Sequence, residues 1–265
     1  MNARVDHGFG PAAPALAEGA REYQRSIENY IGTAKVPLGL AGPLRIRGDS
    51  ANGDYCLPLA TTEAALVASY SRGARVVTEA GGCSAAVLAE GVTRSPGFVF
   101  RSLRDAARFA SWIGDNVAIL AQAAAATTRH GRLQSARATV EGNHAYVDFE
   151  FTTGEAAGQN MVTLATAAII ECIERLAPVR PERSFVEANH SGDKKATARS
   201  LAGVRGKRVS AEARIPCALV VSRLRTTPER MAEYWRIAAL GGVLSGAIGV
   251  QGHYANALEI GRAHV

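Results

Sequence analysis

Residues 133–151 read LQSARATVE-GNH-AYVDFEF, and their reading decides the fold. In the second arm Val147, Phe149 and Phe151 alternate with Tyr146, Asp148 and Glu150, the period of a half-buried antiparallel strand. Gly142, Asn143 and His144 separate it from the first arm, so 133–141 and 145–151 read as a strand pair. Upstream, GFVFR (97–101) is expected to be a strand. Ser102 with Asp105 then makes a capping-box-like start for a helix carrying Leu103, Ala106, Phe109, Ala110 and Ile113. A second helical stretch runs to about Ala126. Downstream, a long helix is expected to present Met161, Leu164, Ala165, Ala168, Ile169, Ile173 and Leu176 on one stripe, and SFVEA (184–188) closes the run as a strand. The order β-α-β-β-α-β is that of a ferredoxin-like sandwich.

The flanks differ in texture. Residues 1–27 are small, Pro- and Gly-bearing, and expected to be loosely ordered. ENYIGTAKVPLGLAGPL (28–44) reads as extended and turn-rich, and YCLPLA (55–60) as a short strand. Thr61 or Thr62 is expected to cap the next helix, EAALVASYSRGARVVTEAG (63–81), with Glu63 in its first turn where an anion suits the dipole. The expected class is α+β, with 96–185 inserted into a larger helical framework formed by 28–95 and 186–258.

Composition narrows the function classes. An apolar share of 47% with 20% charge describes a globular chain. The net charge of +6 suits an anionic ligand, but the arginines are scattered and aromatics reach only 6%, which speaks against nucleic acid. Cys56, Cys83, Cys172 and Cys217 are widely spaced and read as free core thiols of a reducing compartment. No signal peptide and no apolar run of membrane-spanning length is seen, so a cytoplasmic protein is expected. The six histidines show no metal-ligand spacing, and GxGxxG, GxxxxGK[ST] and GxSxG are absent.

Three small motifs remain. GEAAGQNM (154–161) places glycines at a strand-to-helix junction whose free N–H groups suit a diphosphate, although an ordinary helix start gives the same pattern. Thr128 and Arg129 offer a hydroxyl and a guanidinium, a phosphate clamp or a plain surface turn. SGDKK (191–195) holds two of the chain's four lysines, against twenty-six arginines. Lysine is a compact ammonium whose proton is movable, which arginine's is not, so the doublet is a solvated basic turn or a site of proton chemistry.

Together ENYIG, VPLGLAGPL, LPLATTEAALVASYSRG, GEAAGQNM, GDKK and HYAN, in that order and spacing, resemble the 3-hydroxy-3-methylglutaryl-coenzyme A reductases, in their class I, bacterial-like form. The resemblance covers about residues 28–258. It implies NADPH-dependent reduction of an acyl-coenzyme A thioester to an alcohol in two hydride steps. The framework would then be the substrate domain and 96–185 the NADP-binding domain. It implies Lys194 and Glu63 as catalytic residues, with Asp193 and Lys195 orienting loop and substrate. Arg94 would lie near the substrate's carboxylate, Ser69 and Arg72 along coenzyme A, Arg225 at its phosphate, and Asn256 of HYAN at the substrate. Thr128 and Arg129 would face the 2′-phosphate, and Glu155, Gly158, Gln159 and Asn160 would belong to the dinucleotide motif. ENYIG, residues 28–32 from Glu28 to Gly32, resembles the family's subunit contact, which implies a homodimer or higher homo-oligomer. No metal, membrane or nucleic-acid partner is implied.

The departures are specific. Glu155 stands for the family's usual Asp, Ala157 and Gln159 for two methionines, Ala238 for a lysine that often holds the acyl carboxylate, and Glu187 for a serine. The final IGRAHV (260–265) fits neither the expected helix nor the family, and is what ATC-GGA-AGA-GCA-CAC-GTC would encode, an adapter read as gene. Residues 259–265 are therefore expected to be a non-native tail, and the chain an inactive, C-terminally truncated fragment with exposed apolar surface. Three readings stand: a mevalonate-forming reductase, a paralogue acting on another acyl-coenzyme A, and a non-catalytic coenzyme A or nucleotide binder. Keeping both Glu63 and Lys194 tells against the last.

Overall fold

The computed structural model describes residues 23, 27–30, 33, 35–192, 197–201, 203 and 205–250. Its central strand, β6 (His144–Thr152), buries Ala145, Val147, Phe149 and Phe151 completely or nearly so. β5 (Arg132–Glu141) pairs with it antiparallel, from Arg132 opposite Thr152 to Glu141 opposite His144. The tip is secured from outside the hairpin: Asn143 Nδ2 donates to Phe100 O at 2.7 Å, and Phe100 N–H to Asn143 O at 2.9 Å.

The other edge of β6 meets one interrupted strand. The end of β3 (Cys83–Arg94) pairs Val92–Arg94 with Phe151–Phe149, and β4 (Gly97–Val99) continues opposite Tyr146–His144. β7 (Arg183–Phe185) pairs with β4. All these pairings are antiparallel, so this half of the sheet runs β5-β6-β3/β4-β7. One of its faces is covered by α2 (Leu103–Asp115), α3 (Val117–Ala125) and α4 (Gln159–Leu176). Phe109 of α2 is fully buried, 4.9 Å from the Phe98 ring and 4.8 Å from Phe100. Apolar area removed from water, about 1.5–3 kcal/mol for each such side chain, holds the layers together.

The cap of α2 is as expected: Ser102 Oγ accepts from Asp105 N–H at 3.2 Å and donates to Asp105 Oδ2 at 2.8 Å. Ser102→Ala is expected to cost about 1 kcal/mol, seen in a thermal melt as a midpoint lowered by roughly 2–4 °C.

The stripe on α4 differs from expectation. Val162, Ala165, Thr166, Ile169, Ile170, Cys172 and Ile173 are buried, whereas Leu164 is 64% and Leu176 46% exposed. α3 packs beside α4 and moves the covered sector round by about one position. Helix α1 (Leu66–Glu79) also begins later than expected, behind Ala65 in the left-handed region at φ 67°. Thr61 Oγ1 instead accepts from Glu63 N–H at 2.9 Å, a local turn that leaves Glu63 outside the helix.

The flanks are richer in strand than a helical framework. β1 (Leu38–Gly48) and β2 (Asn52–Ala60) form a hairpin. In it Arg45 grips Asp54 through two bonds of 2.7 and 2.8 Å, holding that exposed carboxyl below the usual range. β1 runs parallel to the start of β3, and β8 (Gly206–Glu212) antiparallel to it, so β3 carries both halves of one eight-stranded sheet. Where it crosses, Gly91 keeps the contact close: a Cβ would lie 3.0 Å from Phe151 O, so the backbone there would have to give by a few tenths of an ångström.

Short helix α5 (Cys217–Leu219) continues as a π-turn, Val220–Leu224. Thr227 caps α6 (Pro228–Leu244), which buries none of its residues; Trp235, Ile237, Leu240 and Val243 are exposed, so the expected apolar surface is found here. Cys172 is the only one of the four free thiols in the core, since Cys56 and Cys217 are exposed and Cys83 is half-buried. Among the described residues no helix is long and apolar enough to cross a membrane, and no His/Cys/Asp/Glu group could hold a metal ion.

Candidate active site

Two turns meet at the N-terminus of α4. After β6, Thr153 Oγ1 donates to Ala156 O at 2.6 Å, and Gly154 and Gly158 adopt φ of 70° and 72°. Only glycine suits 158: besides its left-handed backbone, a Cβ there would lie 2.3 Å from Thr153 Cγ2. α4 has no side-chain cap, and its first-turn N–H groups face the loop. The second turn precedes β5, where Thr128 Oγ1 accepts from His130 N–H at 3.2 Å and Gly131 N–H at 3.1 Å. Met161 Cε reaches within 3.3 Å of a Cβ at Gly158 and 2.9 Å of one at Gly131, so the two turns share this thioether. The structure thus gathers Thr128, Gly158, Gln159 and Asn160 at one end of the sandwich, with Arg129 and Glu155 exposed beside them.

Next to this end lies a polar cluster. Arg94, at the end of β3 and only 9% exposed, donates from Nη1 to Glu187 Oε2 and from Nη2 to Gln159 Oε1, both at 3.2 Å. Glu187 Oε1 accepts from Asn189 N–H at 2.8 Å and lies 3.5 Å from Ser191 Oγ. Two of the departures noted in the sequence are therefore partners of one guanidinium.

A second cluster went unread in the sequence. Asp148 is buried (5% exposed), on the face of β6 expected to meet solvent. Its Oδ1 accepts from Ser95 Oγ at 2.5 Å and pairs with His190 Nδ1 at 3.0 Å, and its Oδ2 pairs with Arg199. The His190 ring stacks on Tyr146 with centroids 5.1 Å apart. Thr93, Ser135, Arg137, Glu150, Ser191 and Gly203 complete a cleft of about 50 Å³ over this carboxylate. The available signal was an aspartate at mid-strand between Val147 and Phe149.

The remaining residues sit on the flanks. Glu63 is exposed, so the described residues do not supply the burial its proton-donor role called for. Ser69 and Arg72 lie three apart on an exposed face of α1, where such side chains are neighbours. Arg225, exposed and at φ 55°, ends the π-turn, which Arg223 ties to α1 through Glu79 at 2.8 Å. Glu28 is exposed. Asp193, Lys194, Lys195 and Asn256 lie outside the described residues, as do Gly32 and the tail 259–265.

The family model described as hydroxymethylglutaryl-coenzyme A reductase matches residues 15–259. The chain belongs to that family. Among curated relatives, the 3-hydroxy-3-methylglutaryl-coenzyme A reductase of Methanothermobacter thermautotrophicus is 41% identical over 238 residues, 89% of this chain and 59% of the relative. That of Pyrococcus abyssi is 42% identical over 236 residues, covering 88% and 57%. The chain therefore spans somewhat over half the length of these reductases. In fold it resembles the class II reductase from Streptococcus pneumoniae bound to NADPH, with a TM-score of 0.62 at 20% identity over 84% of this chain and 56% of that one. The family match begins before ENYIG, so kinship extends into the segment expected to be loosely ordered.

Proposed function

We propose that this chain belongs to an NADPH-dependent reductase that converts 3-hydroxy-3-methylglutaryl-coenzyme A to mevalonate and coenzyme A by two hydride transfers. The family match carries this reading. The convergence of the 128–131 and 153–158 turns on Met161 supports the nucleotide end. The residues there fit a dinucleotide phosphate: an α4 N-terminus with no side-chain cap behind left-handed Gly158, and a buried Gln159 Nε2 with no hydrogen-bond partner among the described residues. Gly158, Gln159 and Asn160 would hold the diphosphate, with Glu155 at the rim and Thr128 and Arg129 on the 2′-phosphate. Bound NADPH supplies the hydride.

The chain's own residues handle charge and placement. Negative charge grows on the thioester carbonyl oxygen, and the Lys194 ammonium stabilises it in place of water. Glu63 gives the proton, and Asp193 and Lys195 set the loop that carries the lysine. Ser69 and Arg72 line coenzyme A along α1, Arg225 meets its phosphate, and Asn256 and Arg94 border the acyl group. We place this chemistry in a class I enzyme of the cytoplasm, with 96–185 as a ferredoxin-like NADP-binding insertion between 28–95 and 186–258, and with residues 28–32 in a homodimer contact. The strand order β5-β6-β3/β4-β7, with helices on one face, supports the insertion.

NADPH oxidation with 3-hydroxy-3-methylglutaryl-coenzyme A tests the reading. Arg129→Ala removes a charge-assisted contact and is expected to raise KM for NADPH roughly tenfold or more, leaving NADH use unchanged. Equal loss with both nucleotides would separate Arg129 from the 2′-phosphate. The paralogue reading, reduction of a different acyl-coenzyme A, is favoured by one observation: the anion of Glu187 already sits on Arg94.

A further inference from the structure

Resting on the second reading above, reduction of a different acyl-coenzyme A with Arg94 bordering the acyl group, we propose that this site prefers coenzyme A thioesters whose acyl end carries no carboxylate, and that Glu187 sets the preference. The placement follows from the chemistry. On that reading the acyl group lies where the start of α4, which holds the nucleotide, meets the segment 186–192 that precedes Lys194 in sequence. Arg94 spans that junction: one terminal nitrogen reaches Gln159 on α4 and the other reaches Glu187, seven residues before the lysine.

Each terminal nitrogen of this buried guanidinium already serves an internal acceptor, each 3.2 Å away. A guanidinium recognises a carboxylate through paired N–H groups, and here one N–H of each terminal nitrogen is engaged by Glu187 and the Gln159 amide. Glu187 is itself held, through Asn189 N–H on its second oxygen. Its side chain is 32% exposed and that of Arg94 11%, so the two charges offset each other in a partly dry setting. An incoming acyl carboxylate meets two unfavourable outcomes. It displaces Glu187 and strands that anion, or it enters beside Glu187 as a like charge. A methyl or hydroxyl end displaces nothing and leaves the ion pair intact.

The test is equilibrium binding to the full chain and its Glu187 variants by titration calorimetry. The probes are 3-hydroxy-3-methylglutaryl-coenzyme A, 3-hydroxy-3-methylbutyryl-coenzyme A (the same acyl group without its carboxylate) and free coenzyme A. The unsubstituted chain is expected to bind the butyryl thioester about tenfold tighter than the glutaryl one. Glu187→Ser frees Arg94 and should tighten the glutaryl thioester about tenfold, while the butyryl thioester moves less than about threefold. Glu187→Gln, close in size and uncharged, should shift the ratio the same way, which guards against a folding defect in the serine variant. NADPH affinity should stay constant in both. Tighter binding of the glutaryl thioester by the unsubstituted chain, or a ratio indifferent to Glu187, overturns the inference and leaves the reductase reading standing. Binding of both thioesters no tighter than free coenzyme A overturns the reading of the acyl site itself.

Discussion

Lys194→Ala is expected to lower kcat by about 10²–10³, the loss typical of removing one donor from a developing oxyanion. The measurement is steady-state NADPH oxidation by the protein carrying this chain, with coenzyme A binding followed separately. Binding should change less than about threefold, because in the proposed role the ammonium acts on charge that appears only as hydride arrives. Lys194→Arg should not rescue the rate. A planar fork of five donors cannot reproduce a compact point charge against one oxygen, and its proton is fixed. A rate retained by either variant would show that another group carries the oxyanion. An equal rise in KM with kcat unchanged would make Lys194 a ground-state contact only.

Asp148→Ala should be the most damaging change to stability. The substitution leaves His190 and Arg199 without the carboxylate that both face and strips Ser95 of its acceptor. Breaking a buried ion pair from one side costs about 3–5 kcal/mol. Because the Arg199 side chain is 36% exposed, water recovers part of the loss and the lower end, about 3 kcal/mol, is expected. In thermal unfolding this is a midpoint lower by roughly 6–12 °C. Asp148→Asn keeps the shape and an acceptor for Ser95, so it should lose less. If the two variants proved equally mild, the carboxylate would be a bystander.

The contrast between these residues shows what could be read beforehand. The Ser102 cap and the 132–152 hairpin are legible because their causes are local: a hydroxyl three residues from its N–H, and a period of two around Gly142. Asp148 is not, since alternation says which side chains share a face but not what covers the opposite one. His190 and Arg199, 42 and 51 positions downstream, do so. Arg94, Gln159 and Glu187 could be flagged singly as a match and two departures, yet only folding brings them within hydrogen-bonding distance. β8 carried a period-two signal that was not read: Val209 and Ala211 alternate with Ser210 and Glu212. GKRVSAE is nevertheless exposed along its whole length, so it is a strand because β3 offers it an edge. Leu164 shows the reverse error, an apolar residue on a plausible stripe that a neighbouring helix leaves facing water.

β3 also bears on modularity. A module usually joins its host through a tether that can be cut and retied, but here one continuous strand pairs with β8 through Ser84–Gly91 and with β6 through Val92–Arg94, with Gly91 close against the Phe151 carbonyl. Grafting 96–185 onto another scaffold would sever the Val92–Arg94 ladder and leave Phe149 and Phe151 with a bare flank. A transplant would have to carry the second half of β3 with it, and with that half, Arg94.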